Sequence, residues 1–343
     1  MKEVQSVTAS LIERRKVLKL GAGAAAAASF GFATPALAQR AKVFRYGHNL
    51  PVETVYHKAV VKFAEEVGKL SSGKLKVDIY PTSQLGSIPE MLSAVKVGSL
   101  SMAQSVPAWY SNFMKPIDAF TLPYIVSSTS KLRVGLEGKL GVEIDKFADA
   151  AGFKIFGYYL IGSRHIANRV RQVNRPADTQ GLKIRVINSQ VYIQAFQALG
   201  AVPVAMDAAE LYLAMQQGAV DGYETALPDI VAFKWYEVSK FICLDAHTTD
   251  FFLCAANKAM WDGLSSEEKS IFEKAMKTSM DYQWVAQPDD IKVAEAKLRS
   301  LVAVNDIAPA DKELFVKATR PVYEKFESSI GKDFLALCIK ELS

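Results

Sequence analysis

The chain has 343 residues, of which 50% are hydrophobic and 22% are charged. This composition excludes a disordered chain and provides enough material for two domains of ordinary size. The formal net charge is +5, but residues 1 to 38 carry five basic and two acidic side chains, so the remainder carries only +2, which does not favour a nucleic-acid partner.

Residues 1 to 38 have the pattern of a cleavable export signal. A charged start that contains Arg14 and Arg15 precedes a small apolar run, which ends in an Ala-Leu-Ala triplet. The paired arginines resemble a twin-arginine signal, although Glu13 and Val17 depart from its usual pattern. The apolar run is too short to span a membrane, and no later stretch approaches about 18 uninterrupted apolar residues. We therefore predict a protein of the bacterial periplasm that is not itself embedded in the membrane.

From residue 39 onward, predicted strands and helices alternate, which is typical of an α/β protein with largely parallel sheets. In the first unit, strands are predicted at 43–50, 75–80, 100–105 and 153–160, and helices at 54–70, 88–97 and 131–151. The strand at 153–160 is almost continuously apolar, which indicates burial on both faces.

A second unit begins near Arg164. Its predicted strands are 181–186, 202–206, 240–246 and 251–257, and its predicted helices are 189–199, 208–217 and one from about 228. Residues 265–302 then predict one helix about 55 Å long at 1.5 Å per residue, enough to span both units. The absence of a Pro/Gly-rich linker predicts short hinge strands and a cleft between two domains, which we place at 39–161 plus 251–290 and at 162–250 plus 291–343.

The segment GLKIRV (181–186) places Arg185 between apolar neighbours. Apolar residues alternate with Lys183 and Arg185, so a period of two puts Arg185 opposite the apolar face. Taken alone, this pattern favours an ordinary arginine on the solvent-facing side of a half-buried strand. However, open α/β sheets bind ligands beyond the carboxyl ends of their strands, and Arg185 lies near such an end.

Side chains with a pattern typical of catalysis are scarce. The four histidines have no metal-ligand spacing, and His48 either lines a cleft or makes a structural hydrogen bond. Ser266 and Lys269 form an S-x-x-K string, which helix capping explains. Cys243 and Cys254 could pair in an oxidising compartment or remain buried free thiols. We predict no enzyme activity, no cofactor and no metal among the site residues, although a metal ion that accompanies the ligand stays open.

Three segments, 73–105, 181–227 and 233–241, resemble the DctP-type solute-binding proteins of TRAP (tripartite ATP-independent periplasmic) transporters. The elements YPxxQLG, GLKIRV, ALGAxPV and QQGAVDG occur here in the order and spacing of that family. The resemblance implies a two-domain, periplasmic-binding-protein-like α/β fold with a ligand cleft, hinge strands and a long domain-spanning helix. It also implies that the cleft closes over a small organic acid, which is delivered to membrane permease subunits.

The resemblance also implies the residues that bind the ligand. In that family, the arginine of the GLKIRV-like strand grips the substrate carboxylate, and that position is Arg185. A planar guanidinium makes two parallel hydrogen bonds to a carboxylate, which lysine cannot. Arg164 corresponds to a second arginine of that family, which assists in binding the carboxylate. The alternative roles for Arg164 are a surface charge or an interdomain ion pair. The other predicted ligand-binding residues are Thr225, Glu224, Trp109, Gln84, Glu90 and His48.

Two departures from the family leave the ligand open. Many members have Gln-Glu-Asn-Pro where this chain has Tyr-Glu-Thr-Ala, so Thr225 offers a hydroxyl in place of an amide. Ala208 replaces a large aromatic residue of several relatives and leaves room for a bulkier ligand or water. The acid can be a dicarboxylate, a sugar acid, a keto acid or an aromatic acid. A ligand-sensing subunit of a signalling system and an exported enzyme acting on a carboxylate are the alternative functions.

Overall fold

The computed structural model describes residues 40–343, so the predicted export signal lies outside the described residues. The strands are β1 (Lys42–Gly47), β2 (Leu75–Tyr80), β3 (Met102–Ser105), β4 (Phe153–Asn168), β5 (Lys183–Val186), β6 (Val202–Ala205), β7 (Gly222–Ala226), β8 (Phe241–Asn257) and β9 (Ala303–Asp306). The helices are α1 (Val55–Leu70), α2 (Ile88–Lys96), α3 (Pro107–Tyr110), α4 (Thr129–Leu136), α5 (Lys139–Ala151), α6 (Gln190–Ala198), α7 (Ala208–Gln217), α8 (Leu227–Ala232), α9 (Lys258–Asp262), α10 (Ser266–Leu301), α11 (Pro309–Thr319), α12 (Pro321–Ile330) and α13 (Lys332–Leu342).

These strands form one mixed sheet in the order β2-β1-β3-β8-β4-β7-β5-β6, with β9 beside β8. Strands β4 and β8 are 16 and 17 residues long and run antiparallel to each other. The carboxyl end of β8 pairs with β3, whereas the carboxyl end of β4 pairs with β7. The two long strands therefore join two halves of the sheet, one with β2-β1-β3 and the other with β7-β5-β6.

The predicted strands and helices differ from those of the structure at places where polar residues or a glycine change the local sequence pattern. The segments predicted as strands at 240–246 and 251–257 are one strand, because the polar residues between them also pair with β4. Strand β4 likewise continues beyond residue 160. The helix predicted at 131–151 is two helices, separated at Gly138, whose φ of −121° and ψ of −130° are not helical. A Cβ there would lie 2.8 Å from the carbonyl oxygen of Val134.

The long predicted helix is α10, with 36 residues. A capping box starts it, since Ser265 Oγ accepts from the Glu268 N–H at 3.1 Å and the Glu268 carboxylate accepts from the Ser265 N–H at 2.8 Å. It packs against α1 and also against α8 and β9. Gln283 attaches it to β4, because its amide bonds both the N–H (2.8 Å) and the carbonyl (2.7 Å) of Leu160. These bonds satisfy main-chain groups where β4 has a bulge, between Leu160 and Gly162.

Two further sequence questions concern the cysteines and the domain boundaries. Cys243, Cys254 and Cys338 are buried free thiols, so the disulfide alternative is wrong. The last helix, α13, packs against α4 and α5. The residue boundaries proposed for the two domains stay a prediction. Within residues 40–343, no helix combines the length and the apolar character needed to cross a membrane.

Candidate ligand-binding site

Both halves of the sheet contribute side chains to one cavity. Trp109, on α3, comes from the first half, and Arg185 and Thr225, on β5 and β7, come from the second. Arg164 enters from the long strand β4, and Ala208 lies at the start of α7. The fold thus brings together four of the predicted ligand-binding residues, which are far apart in the sequence.

Arg185 is a buried cation that lines this cavity. Only 3% of its surface is exposed, so the face opposite the apolar residues of β5 looks onto the cavity and not onto solvent. Its Nε and Nη2 donate to the main-chain oxygen of Met206 at 3.0 and 2.8 Å, which fixes the guanidinium plane. Among residues 40–343 it has no ion-pair partner, and burial lowers its pKa to about 10. Arg185 therefore remains a cation with little compensation at neutral pH.

Arg164 is equally buried but is compensated by acidic neighbours. Its Nε and Nη2 bind both carboxylate oxygens of Glu224, at 2.5 and 2.8 Å, and its Nη1 donates to Asp250 at 3.2 Å. Its guanidinium also lies over the Tyr192 ring, 5.5 Å from the centroid. Glu224 itself is fully buried and does not line the cavity. The surface-charge alternative for Arg164 is therefore wrong, and its ion pair is buried beside the ligand cavity.

His48 has the structural role that the sequence offered as one alternative. It is fully buried but does not line the cavity. Its Nδ1 accepts from the Leu50 N–H at 3.1 Å, and its Nε2 lies 3.1 Å from His57 Nδ1. Burial lowers the pKa of His48 to about 3. A neutral ring with its proton on Nε2 fits both contacts.

Gln84 and Glu90 also lie outside this cavity. Both side chains are exposed, in the turn before α2 and in the first turn of α2. Glu90 caps that helix, since its carboxylate accepts from the N–H and the hydroxyl of Ser87 at 2.7 and 2.8 Å. A ligand contact by either residue stays a prediction.

Comparison with known proteins identifies the family. Residues 46–329 match the DctP family model, described as bacterial extracellular solute-binding protein, family 7. The chain belongs to this family. A solute-binding protein of Verminephrobacter eiseniae is 31% identical over 276 residues, covering 80% of this chain and 82% of that protein. The 2,3-diketo-L-gulonate-binding periplasmic protein YiaO of Escherichia coli is 31% identical over 252 residues, covering 74% of this chain and 76% of that protein.

A solved structure agrees with this assignment. The crystal structure of the sugar acid binding protein DctPAm from Advenella mimigardefordensis, in complex with galactonate, superimposes with a TM-score of 0.85 at 27% sequence identity. The match covers 88% of this chain and 98% of that chain. The predicted DctP family and two-domain α/β fold are thereby confirmed. As a DctP-family protein, the chain is a solute-binding protein and not an enzyme.

In this DctP-family protein, a second layer of charge holds Glu224 in place. His247 Nε2 lies 3.4 Å from the Glu224 carboxylate, and its Nδ1 lies 2.8 Å from Asp245. Burial alone lowers the pKa of His247, but Asp245 and Glu224 outweigh it and raise the pKa to about 9. Burial likewise raises the pKa of Glu224, yet Arg164 and His247 lower it to about 2. The order Asp245, His247, Glu224, Arg164 thus alternates negative and positive charges.

The His247 ion pairs predict a pH-dependent stability. Because the pKa of His247 is raised in the folded state, its stabilisation is present below about pH 6.5 and is lost as the pH rises through about 9. We expect the free energy of unfolding to fall by up to about 3 kcal/mol more in the wild type than in His247→Gln over that window. Urea unfolding at pH 6.5, 7.5 and 9 measures this difference, and parallel pH profiles would contradict it.

Sequence reasoning missed four charged residues of this site, of which Asp245 lies in the first apolar segment of β8. Asp250 and His247 lie in the polar stretch that separates the two apolar segments of β8, which was taken for a break. Asp229, in the first turn of α8, lines the cavity. The sequence contained one signal for Asp229. It is an acidic residue in an otherwise apolar segment, four positions after Thr225 and directly after Pro228.

Proposed function

We propose that this protein is a periplasmic receptor for a small organic acid, with Arg185 as the principal carboxylate ligand and Arg164 as its helper. Arg185 carries the proposal, because it lines the cavity as a buried cation with no ion pair in residues 40–343, and burial outweighs the more distant Glu224 and Asp207 in setting its pKa. A buried charge without a partner is costly. A ligand carboxylate supplies the missing counter-charge and accepts charge-assisted hydrogen bonds from the guanidinium.

The relatives support this choice of ligand class. YiaO is named for 2,3-diketo-L-gulonate, and DctPAm was crystallised with galactonate. Both ligands are carboxylates, as the Arg185 site requires. Thr225, near the end of β7, lines the same cavity as both arginines, and Trp109 provides a half-buried aromatic surface from α3, which follows the first half of the sheet.

We further propose that the two domains close over the acid and that a TRAP permease receives it. Strands β4 and β8 pass between the halves of the sheet, and β4 is interrupted by bulges near Gly157, Gly162 and Ile166. Bending of these strands would move Trp109 relative to Arg185. Helix α10 packs against α1, which lies on β2 of the first half, and against α8, which lies on β7 of the second, so it spans the proposed hinge.

Thermal unfolding with a ligand panel tests the receptor function. The chain from residue 39 onward is heated with monocarboxylates, dicarboxylates, sugar acids, keto acids and aromatic acids. A ligand at 100 times its Kd stabilises the folded state by about 2.7 kcal/mol, a shift in Tm of roughly 2 °C or more. The neutral amide of an active acid is the matched control and should give no shift. An equal shift with the amide, or no shift with any acid, would reject carboxylate recognition.

A further inference from the structure

Asp229 differs from the other acidic side chains around Arg164. Glu224 holds the guanidinium of Arg164 through both carboxylate oxygens, and the two oxygens of Asp250 accept from Arg164 and from the Phe251 N–H. Asp229 lines the cavity and is only 9% exposed. Its Oδ2 accepts from the Thr225 hydroxyl at 3.1 Å, whereas its Oδ1 is buried with no hydrogen-bond partner in the part of the chain that the structure describes.

A buried carboxylate oxygen without a donor destabilises the protein and calls for a functional explanation. Burial raises the pKa of Asp229 to about 6, so the group is still mainly ionised at neutral pH. The Thr225 hydroxyl holds Oδ2, so Oδ1 is the buried oxygen without a donor from the described residues, in a side chain that lines the cavity. Asp229 therefore has a free acceptor for a hydrogen bond from a molecule that occupies the cavity.

We infer that Asp229 accepts a hydrogen bond from a hydroxyl group of the ligand, so that the receptor selects hydroxylated monocarboxylates. This inference rests on the proposed function, in which Arg185 takes the ligand carboxylate. A carboxylate cannot donate to Asp229, and a second carboxylate on the ligand would meet a charge of the same sign. An unsubstituted dicarboxylate or aliphatic acid would leave Oδ1 without a donor.

A hydroxyl fits this cavity better than an ammonium group, which could also donate to Asp229. The guanidinium groups of Arg164 and Arg185 line the same cavity and only donate hydrogen bonds. A hydroxyl accepts from one of them while it donates to Asp229. An ammonium group has no acceptor and would be repelled by both cations.

Two matched ligand series test the inference on the wild-type protein by calorimetry. The six-carbon series is D-galactonate, hexanoate, adipate and 6-aminohexanoate, and the four-carbon series is D-erythronate, butyrate, succinate and 4-aminobutyrate. In at least one series, the hydroxylated acid should bind roughly 100-fold more tightly than the other three. Preference for the dicarboxylate or for the amino acid would overturn the inference. Binding of no acid in either series would also overturn the inference, and the broader panel of acids in thermal unfolding then decides separately whether the proposed function fails with it.

Asp229→Asn tests the residue itself. It should weaken binding of the hydroxylated acid by roughly 10- to 100-fold, since one charged acceptor is lost, without changing the affinity for the matched unsubstituted acid. The ligand-free variant should unfold at the same or a higher temperature, because an unpartnered buried charge has been removed. A merely structural role for Asp229 would instead lower the unfolding temperature and leave the preference between the two acids unchanged, which would overturn the assignment.

Asp118→Asn is the matched control. Asp118 is also buried, at 2% exposure, and its Oδ1 likewise lacks a partner among residues 40–343, but it does not line the cavity. Its substitution should leave the preference for hydroxylated acids unchanged. An equal loss of preference in both variants would show a general effect of buried carboxylates and would overturn the assignment of Asp229.

Discussion

Arg185→Ala should weaken binding of the acid by about 2–5 kcal/mol, or roughly 30- to several-thousand-fold in Kd. The loss is large because truncation removes the buried cation that has no ion pair among residues 40–343 and leaves the ligand carboxylate desolvated without its principal counter-charge. Arg164 cannot replace it, since Glu224 and Asp250 already occupy its guanidinium. Calorimetric titration with an acid that stabilises the wild type measures the change.

Two further variants separate the shape of the guanidinium from its charge. Arg185→Lys retains a cation but loses the paired, coplanar N–H groups and the anchor on Met206, so its affinity should lie between those of Arg185→Ala and the wild type. Lys183→Ala removes the exposed cation two positions earlier on β5 and should change Kd by less than about threefold. If Arg185→Ala binds as tightly as Lys183→Ala, Arg185 is not the carboxylate ligand.

The sequence alone predicts much of the local structure around this site. The capping residues Ser265 and Glu268 locate the start of α10, and alternation correctly places Arg185 opposite the apolar residues of β5. Alternation cannot predict what lies against that opposite face. In this fold, that face borders an interior cavity, because α7, α8 and the first half of the sheet cover the end of β5. Arg185, which the alternation alone places in solvent, is therefore buried.

The charged network required contacts that no local pattern contains. Arg164 and Glu224 are neighbours only because β4 and β7 pair antiparallel, and His247 reaches Glu224 from the middle of β8. From sequence alone, a polar stretch within an apolar strand predicts a break in the strand. Only the residues that pair with it on the neighbouring strand show that the strand continues. For this reason, the sequence did not predict that β8 is continuous, and it did not predict the strands that join the two halves of the sheet.

Glu224→Gln should lower the free energy of unfolding by about 3–5 kcal/mol at pH 7, which corresponds to a fall in Tm of roughly 5–15 °C. The substitution removes the negative charge shared by Arg164 and His247, both of which are buried. Asp250 alone cannot compensate the guanidinium, because its single bond to Arg164 is the longer one, at 3.2 Å. Urea unfolding followed by tryptophan fluorescence measures the change.

Glu90→Gln is the matched control, because that glutamate is exposed and glutamine can also serve in a capping box. It should cost less than about 0.5 kcal/mol. A variant that combines Glu224→Gln with Arg164→Met should lose clearly less stability than the two single losses together, since each single variant breaks the same Arg164–Glu224 pair and the double variant breaks it only once. Additive losses, or equal losses for Glu224→Gln and Glu90→Gln, would mean that the buried pair is not the source of the stability.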